Sequence, residues 1–211
     1  MKLYGFPFSP NTWKVRAVAA QIGVPLELIV VDMKNAQHRS PEYLAVNPTG
    51  RVPALVDGDF KLWESVAIMQ YIASQKPNTL WPESVRTRAD IMRWQSWQLA
   101  HWSKEACEPL LFERFVKPFF NLGAPDQARV ASGTEAFHRE AKVLDAHLAN
   151  RQYLVGDGLT LADFSVAAPL IYAKEGDFPL AAYAHVRAWF DRVFALPVWR
   201  ETAPPPMPAA A

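Results

Sequence analysis

The chain has 211 residues, half of them hydrophobic, and 22 Lys and Arg against 21 Asp and Glu leave a formal charge of +1. That length suits a small α/β unit and a larger helical one, and the near-zero charge argues against an electrostatic preference for nucleic acid or an anionic membrane. One cysteine, Cys107, excludes an internal disulfide, and five scattered histidines show no metal spacing. With no N-terminal signal pattern and no long apolar span, the expectation is a soluble intracellular protein without a metal.

Lys2 to Gly5 reads as a short strand, and Phe6 to Ser9 as a loop holding two aromatics. From Pro10 onward, Val15, Val18, Ala19 and Ile22 share one face of a helix. Ser9 stands just before it. Either it closes a Ser-Pro turn, with Asn11 or Thr12 as the cap, or its hydroxyl donates to a ligand at the helix N-terminus, where the peptide dipoles favour negative charge. His38 and Arg39 form a basic pair in the following segment, which reads as a solvated loop or as an anion contact.

The stretch N-P-T-G-R-V-P-A-L-V-D-G-D-F-K-L-W-E-S, from Asn47 to Ser65, is the most informative. Ala54 to Val56 and Phe60 to Trp63 are strands on either side of an Asp57-Gly58 turn. Pro53 cannot donate to a sheet ladder. It marks an edge strand or a cis turn that leaves the Val52 N–H and C=O to pair with a bound peptide. Glu64 and Ser65 then open a helix carrying Val66, Ile68, Met69 and Ile72. An acid beside a hydroxyl at a helix start is ordinary capping, and it is equally a holder for an ammonium and a carboxylate on one carbon.

Residues 77–83, with two prolines among turn formers, are the expected linker between a domain at 1–76 and one at 84–202. A long helical pattern over 84–116 carries Trp94, Trp97, Trp102, Phe112 and Phe115, and Pro109 should kink or break it. Trp97, His101, Phe112 and Phe115 fall at spacings that can line one wall of an apolar pocket opposite Phe6 and Phe8, though each singly is as well a core or interface residue. Residues 117–128 read as a loop, with Asp126 starting a helix whose inner face is Phe137, Ala141, Leu144 and Leu148. Thr160 and Asp163 have the spacing of a capping box before an inward-facing Leu161, Phe164 and Ala168. Val186, Trp189, Phe190, Val193 and Phe194 mark a last helix, and the proline-rich residues 203–211 a disordered tail.

As a set, Ser9 followed by Lys14-Val15-Arg16, the Val52-Pro53 step, Glu64-Ser65 and the Thr160/Asp163 box resemble the cytosolic glutathione transferases of the serine type, similar to the phi, theta and zeta classes. The resemblance covers nearly the whole chain. It implies an α/β thioredoxin-like N-terminal domain followed by an all-α domain, in a cytoplasmic homodimeric transferase of the detoxification kind. Glutathione would be co-substrate and a hydrophobic electrophile the second substrate. Ser9 would donate a hydrogen bond to the glutathione sulfur, Val52 and a cis Pro53 would pair with the peptide, and Glu64 and Ser65 would take its γ-glutamyl end. His38 and Arg39 would surround its glycine carboxylate. Zeta-class patterns carry cysteine where this chain has Asn11, and beta- and omega-like chemistry needs a cysteine where Ser9 stands. A noncatalytic binding or assembly module of the same fold is the alternative.

Overall fold

In the computed structural model, which describes residues 1–205, the first helix sits against the first strand because Gly5 has no side chain. A Cβ there would lie 2.5 Å from Thr12 Cγ2 and 2.8 Å from its Oγ1, closer than packed atoms tolerate. β1 (Lys2–Gly5) thus leads through one short loop into α1 (Pro10–Ile22), whose Val15, Val18 and Ala19 are buried. β2 (Glu27–Val30) pairs parallel with β1, and a short α2 (Pro41–Leu44) follows. β3 (Ala54–Asp57) runs antiparallel to β1 and turns through Gly58, at φ +61°, into β4 (Phe60–Trp63). The sheet order is β2-β1-β3-β4. α3 (Ser65–Ala73) buries Ile68, Met69 and Ile72.

This sheet and its helices, Met1–Trp81, form one compact unit, and Pro82–Ala195 form a second, entirely helical one. There, α4 (Val85–Trp97) runs on through wide turns at Gln98–Cys107, α5 (Glu108–Leu111), a second wide stretch at Phe112–Val116, and α6 (Lys117–Phe119). Pro109 does not break the helix. The Glu108 N–H reaches back five residues to the Ser103 carbonyl, and this widened turn relieves the clash that a proline ring makes with a regular α-helical turn. Helix also persists to Phe119 where the sequence reads as loop, with Pro118 directly following the second wide stretch.

α7 (Gln127–Leu148) opens on Asp126, whose carboxylate accepts from the Ala128 and Arg129 N–H groups. Buried Glu113 ties this start to the preceding helix, accepting the Asp126 N–H at 2.8 Å and pairing with Arg129 at 2.8 Å and Lys117 at 2.6 Å. α8 (Leu161–Ala167) is buried throughout and carries the capping box read from Thr160 and Asp163. Asp163 does more than cap. It also accepts the Leu154 N–H at 3.0 Å and the Trp189 indole N–H at 2.9 Å, Trp189 lying on α9 (Ala184–Phe194).

The last helix, α10 (Pro197–Glu201), groups with the first unit and not with the helices before it. The reason is local: the Trp13 indole N–H donates to the Trp199 carbonyl at 3.1 Å and Thr202 Oγ1 at 3.2 Å, and Arg16 donates to the Thr202 carbonyl at 2.7 Å. Of the tail expected at 203–211, residues 206–211 lie outside the described residues. Among the described residues no helix is long and apolar enough to cross a membrane, and no group of three or more His, Cys, Asp or Glu side chains could hold a metal ion.

Candidate active site

The pairings Tyr4↔Ala54 and Ala54↔Trp63 place the end of β1, the start of β3 and the end of β4 side by side. The loops carrying Ser9, Val52-Pro53 and Glu64-Ser65 therefore share one end of the sheet. Ser9 is itself the cap of α1. Its Oγ accepts the Thr12 N–H at 3.4 Å, and an oxygen that accepts from the backbone keeps its own O–H to donate outward. The Ser9 N–H is held by the Phe6 carbonyl at 2.9 Å, and the Phe6 and Phe8 rings flanking this turn lie 5.4 Å apart.

At the start of α3, Ser65 is buried and donates its O–H to Asn11 Oδ1 at 3.3 Å. This bond fastens the N-terminus of α3 to that of α1. Glu64 stands before it at φ +73°, and its side chain does not cap the helix. Capping therefore accounts for Ser9 but not for Glu64. A non-glycine residue at positive φ costs on the order of 1–3 kcal/mol, and this one leaves the carboxylate exposed beside the uncapped N–H groups of α3.

The Val52-Pro53 bond is cis, and Pro53 is buried. The preceding carbonyl, that of Arg51, accepts the Tyr43 O–H at 2.5 Å and an Asn47 amide N–H at 2.7 Å. Burial pushes the Tyr43 phenol up to about 12, so this donor stays protonated. Gly50, at φ +62°, enters the loop: a Cβ on it would lie 3.0 Å from Arg39 Nη1 and 3.1 Å from the His38 carbonyl. His38 and Arg39 thus pack against the loop that leads to Pro53. Burial first and the Arg39 charge second lower the His38 pKa, and its Nδ1 is buried without a hydrogen-bond partner.

Trp97, His101, Phe112 and Phe115 belong to the second unit. Trp97 donates to Glu140 at 2.9 Å and stacks on Trp102, Phe115 stacks on Tyr172, and Phe112 lies beneath Arg129 and Lys117. His101 is exposed, 3.7 Å from Glu105.

Sequence reasoning passed over Lys14, which is completely buried on α1 with an Nζ that has no hydrogen-bond partner. Burial pushes its pKa down to about 7, opposed by the Glu64 charge. Below pH 7 the lysine is charged folded and unfolded, and its burial penalty is complete. Between about 7 and 10.5 the unfolded chain holds a proton that the folded one has lost, so stability rises with pH. Lys14→Met is therefore expected to raise the denaturation midpoint, and by more at pH 6 than at pH 9. An equal shift at both pH values, measured by urea unfolding, would contradict this. The passed-over signal is a lysine beside Val15 on the apolar face.

Residues 1–74 match the model of the glutathione S-transferase N-terminal domain and residues 105–197 that of the C-terminal domain. Glutathione S-transferase 3 of Zea mays is 38% identical over 222 aligned positions, covering 100% of this chain and 99% of that protein. Among solved structures, glutathione transferase F7 from Populus trichocarpa is 29% identical with a TM-score of 0.86, covering 95% of this chain and 96% of its own. Glutathione S-transferase I bound with lactoylglutathione is 32% identical with a TM-score of 0.85, covering 96% and 97%. With its thioredoxin-like sheet followed by a helical unit, the chain belongs to the glutathione S-transferase family.

Proposed function

We propose that this protein is a glutathione transferase of the serine type, in which Ser9 donates to the glutathione sulfur and lowers its pKa for attack on an electrophilic carbon of a hydrophobic small molecule. The observation that carries the reading is the Ser65 to Asn11 hydrogen bond. It joins two helix N-termini, so that Ser9 on one and Glu64-Ser65 on the other face a common ligand. In this reading the Ser65 hydroxyl turns from Asn11 to the γ-glutamyl carboxylate, which the first N–H groups of α3 also take, Glu64 takes the ammonium, and Val52 pairs with the peptide backbone beside Pro53. His38 and Arg39 lie by the glycine carboxylate. Phe6 and Phe8 offer an apolar face next to the sulfur, and Trp97, His101, Phe112 and Phe115 are the candidates for electrophile contacts from the helical unit.

We place the enzyme in the cytosol as a homodimer. Phe60 and Trp63, 45% and 40% exposed on edge strand β4, support a self-association surface. The deciding experiment is calorimetric titration with glutathione beside a panel of electrophiles and hydroperoxides. Ser65→Ala and Glu64→Ala should each weaken binding by roughly 10- to 150-fold, the loss of one charged hydrogen bond of about 1.5–3 kcal/mol, with little change in folding. Unchanged affinity in both removes this site assignment, and tight binding without turnover on any electrophile points to a noncatalytic module.

A further inference from the structure

The helical unit holds a cleft of about 630 Å³, lined by Asp90 and Arg93 of α4, by His147, Asn150 and Arg151 at the end of α7, and by Asp157 before the capping box. None of the residues assigned to glutathione or to the electrophile lines it. Its size is that of a small-molecule site, and its lining is mostly charged or polar. Two of its charges neutralise each other: Arg93 donates to the Asp90 carboxylate at 2.8 Å. The other two do not. Arg151 gives one N–H to the His147 carbonyl at 3.1 Å, and among the described residues neither Arg151 nor Asp157 is in an ion pair. The cleft thus presents one unpaired cation and one unpaired anion.

His147 adds an acceptor. It is half-buried against the Trp94 ring, with centroids 4.6 Å apart, and its Nε2 lies 2.9 Å from the Leu154 carbonyl. A carbonyl only accepts, so Nε2 carries the proton and Nδ1 of the neutral ring is a lone pair. That Nδ1 has no hydrogen-bond partner in the protein. Burial lowers the ring's pKa, the Leu154 carbonyl opposes this, and the Arg151 and Arg93 charges lower it further against that of Asp90. The ring is therefore neutral at pH 7. We propose that this cleft binds an α-amino-acid group, its carboxylate on Arg151 and Asn150 and its ammonium on Asp157 and His147 Nδ1. An anion alone would set its charge against Asp157 and the His147 lone pair, and a cation alone would meet Arg151. A zwitterion gives each of these groups a charged hydrogen bond of the right sense. The same group is found in a free amino acid and at the γ-glutamyl end of glutathione.

The test is histidine-selective NMR of the full-length protein at pH 7, titrated with L-alanine, with propionate, which lacks the ammonium, and with ethylammonium, which lacks the carboxylate. Millimolar L-alanine should shift the side-chain signal of one histidine saturably, and that signal should be absent from His147→Gln. Propionate and ethylammonium at the same concentration should leave it in place. Arg151→Gln and Asp157→Asn, at exposed positions, should each weaken L-alanine binding by about 10-fold or more while leaving conjugation of glutathione unchanged. Titration with S-methylglutathione in the Glu64→Ala background separates the two sources. Displacement of L-alanine extends the site to the γ-glutamyl group, and no displacement confines it to free amino acids. Propionate acting as strongly as L-alanine, L-alanine binding undiminished in both charge variants, or no shift of the His147 signal by either L-alanine or S-methylglutathione overturns the inference.

Discussion

Asp163→Ala is expected to destabilise the helical unit by on the order of 3–5 kcal/mol, more than the loss of an ordinary helix cap. The carboxylate is fully buried and accepts from four donors: the Leu154 N–H, the Thr160 N–H and hydroxyl, and the Trp189 indole. Truncation leaves three N–H groups from separate segments buried without an acceptor, each at about 1–3 kcal/mol, while the Thr160 hydroxyl can rotate to another partner. Burial raises the carboxyl pKa, and these donors pull it back. Denaturant unfolding should show a lowered midpoint with the slope unchanged. Trp189→Phe, which removes a single donor, should cost less. A midpoint in Asp163→Ala close to that of the parent would mean that the donors find other partners.

The second large effect is chemical. Ser9→Ala should raise the pKa of bound glutathione by about 1–2 units and slow conjugation near neutral pH by roughly 10- to 100-fold, because one charged hydrogen bond of about 1.5–3 kcal/mol is made only to the thiolate. Glutathione affinity should stay within a few-fold, since in the proposed site other residues hold the tripeptide's charged ends. The thiolate absorbance of the complex, titrated against pH, gives the midpoint directly. The rate loss should shrink as pH is raised past the variant's midpoint, where the thiolate forms unaided. If the midpoint does not move, the Ser9 hydroxyl serves only the Thr12 N–H that it already accepts.

Elements defined by local chemistry were legible in the sequence, and those defined by partners distant along the chain were not. The Asp57-Gly58 hairpin, the helix opened by Glu64-Ser65 and the Thr160/Asp163 box each lie within a few residues, and all three are present. β2 went unread because its four residues show no alternation and take their place from parallel pairing with β1. α10 was missed because five residues after Pro197 carry too little periodicity, and its place depends on Trp13. At the site, the residue types were visible, yet the bond from Ser65 to Asn11 spans 54 positions and the burial of Lys14 is a tertiary fact. The aromatics of the long helix looked alike in sequence. Only coordinates separate Trp97, tied to Glu140, from Phe115, stacked on Tyr172.

The attachment of α10 to α1 bears on how the protein is made. A ribosome releases residues 1–81 long before Trp199 and Thr202, and until those arrive Trp13 and Arg16 lack the acceptors they have in the finished fold. The unit that begins the polypeptide is therefore completed last, after the whole helical unit has been synthesised. A nascent chain stalled at the linker should expose the Trp13 indole and hold α1 loosely, with Ser9 at its tip. The proposed thiol-activating site should then be complete only once synthesis has passed Thr202, and deletion of residues 196–202 should disable it although its proposed glutathione-binding groups all lie in the first third of the chain.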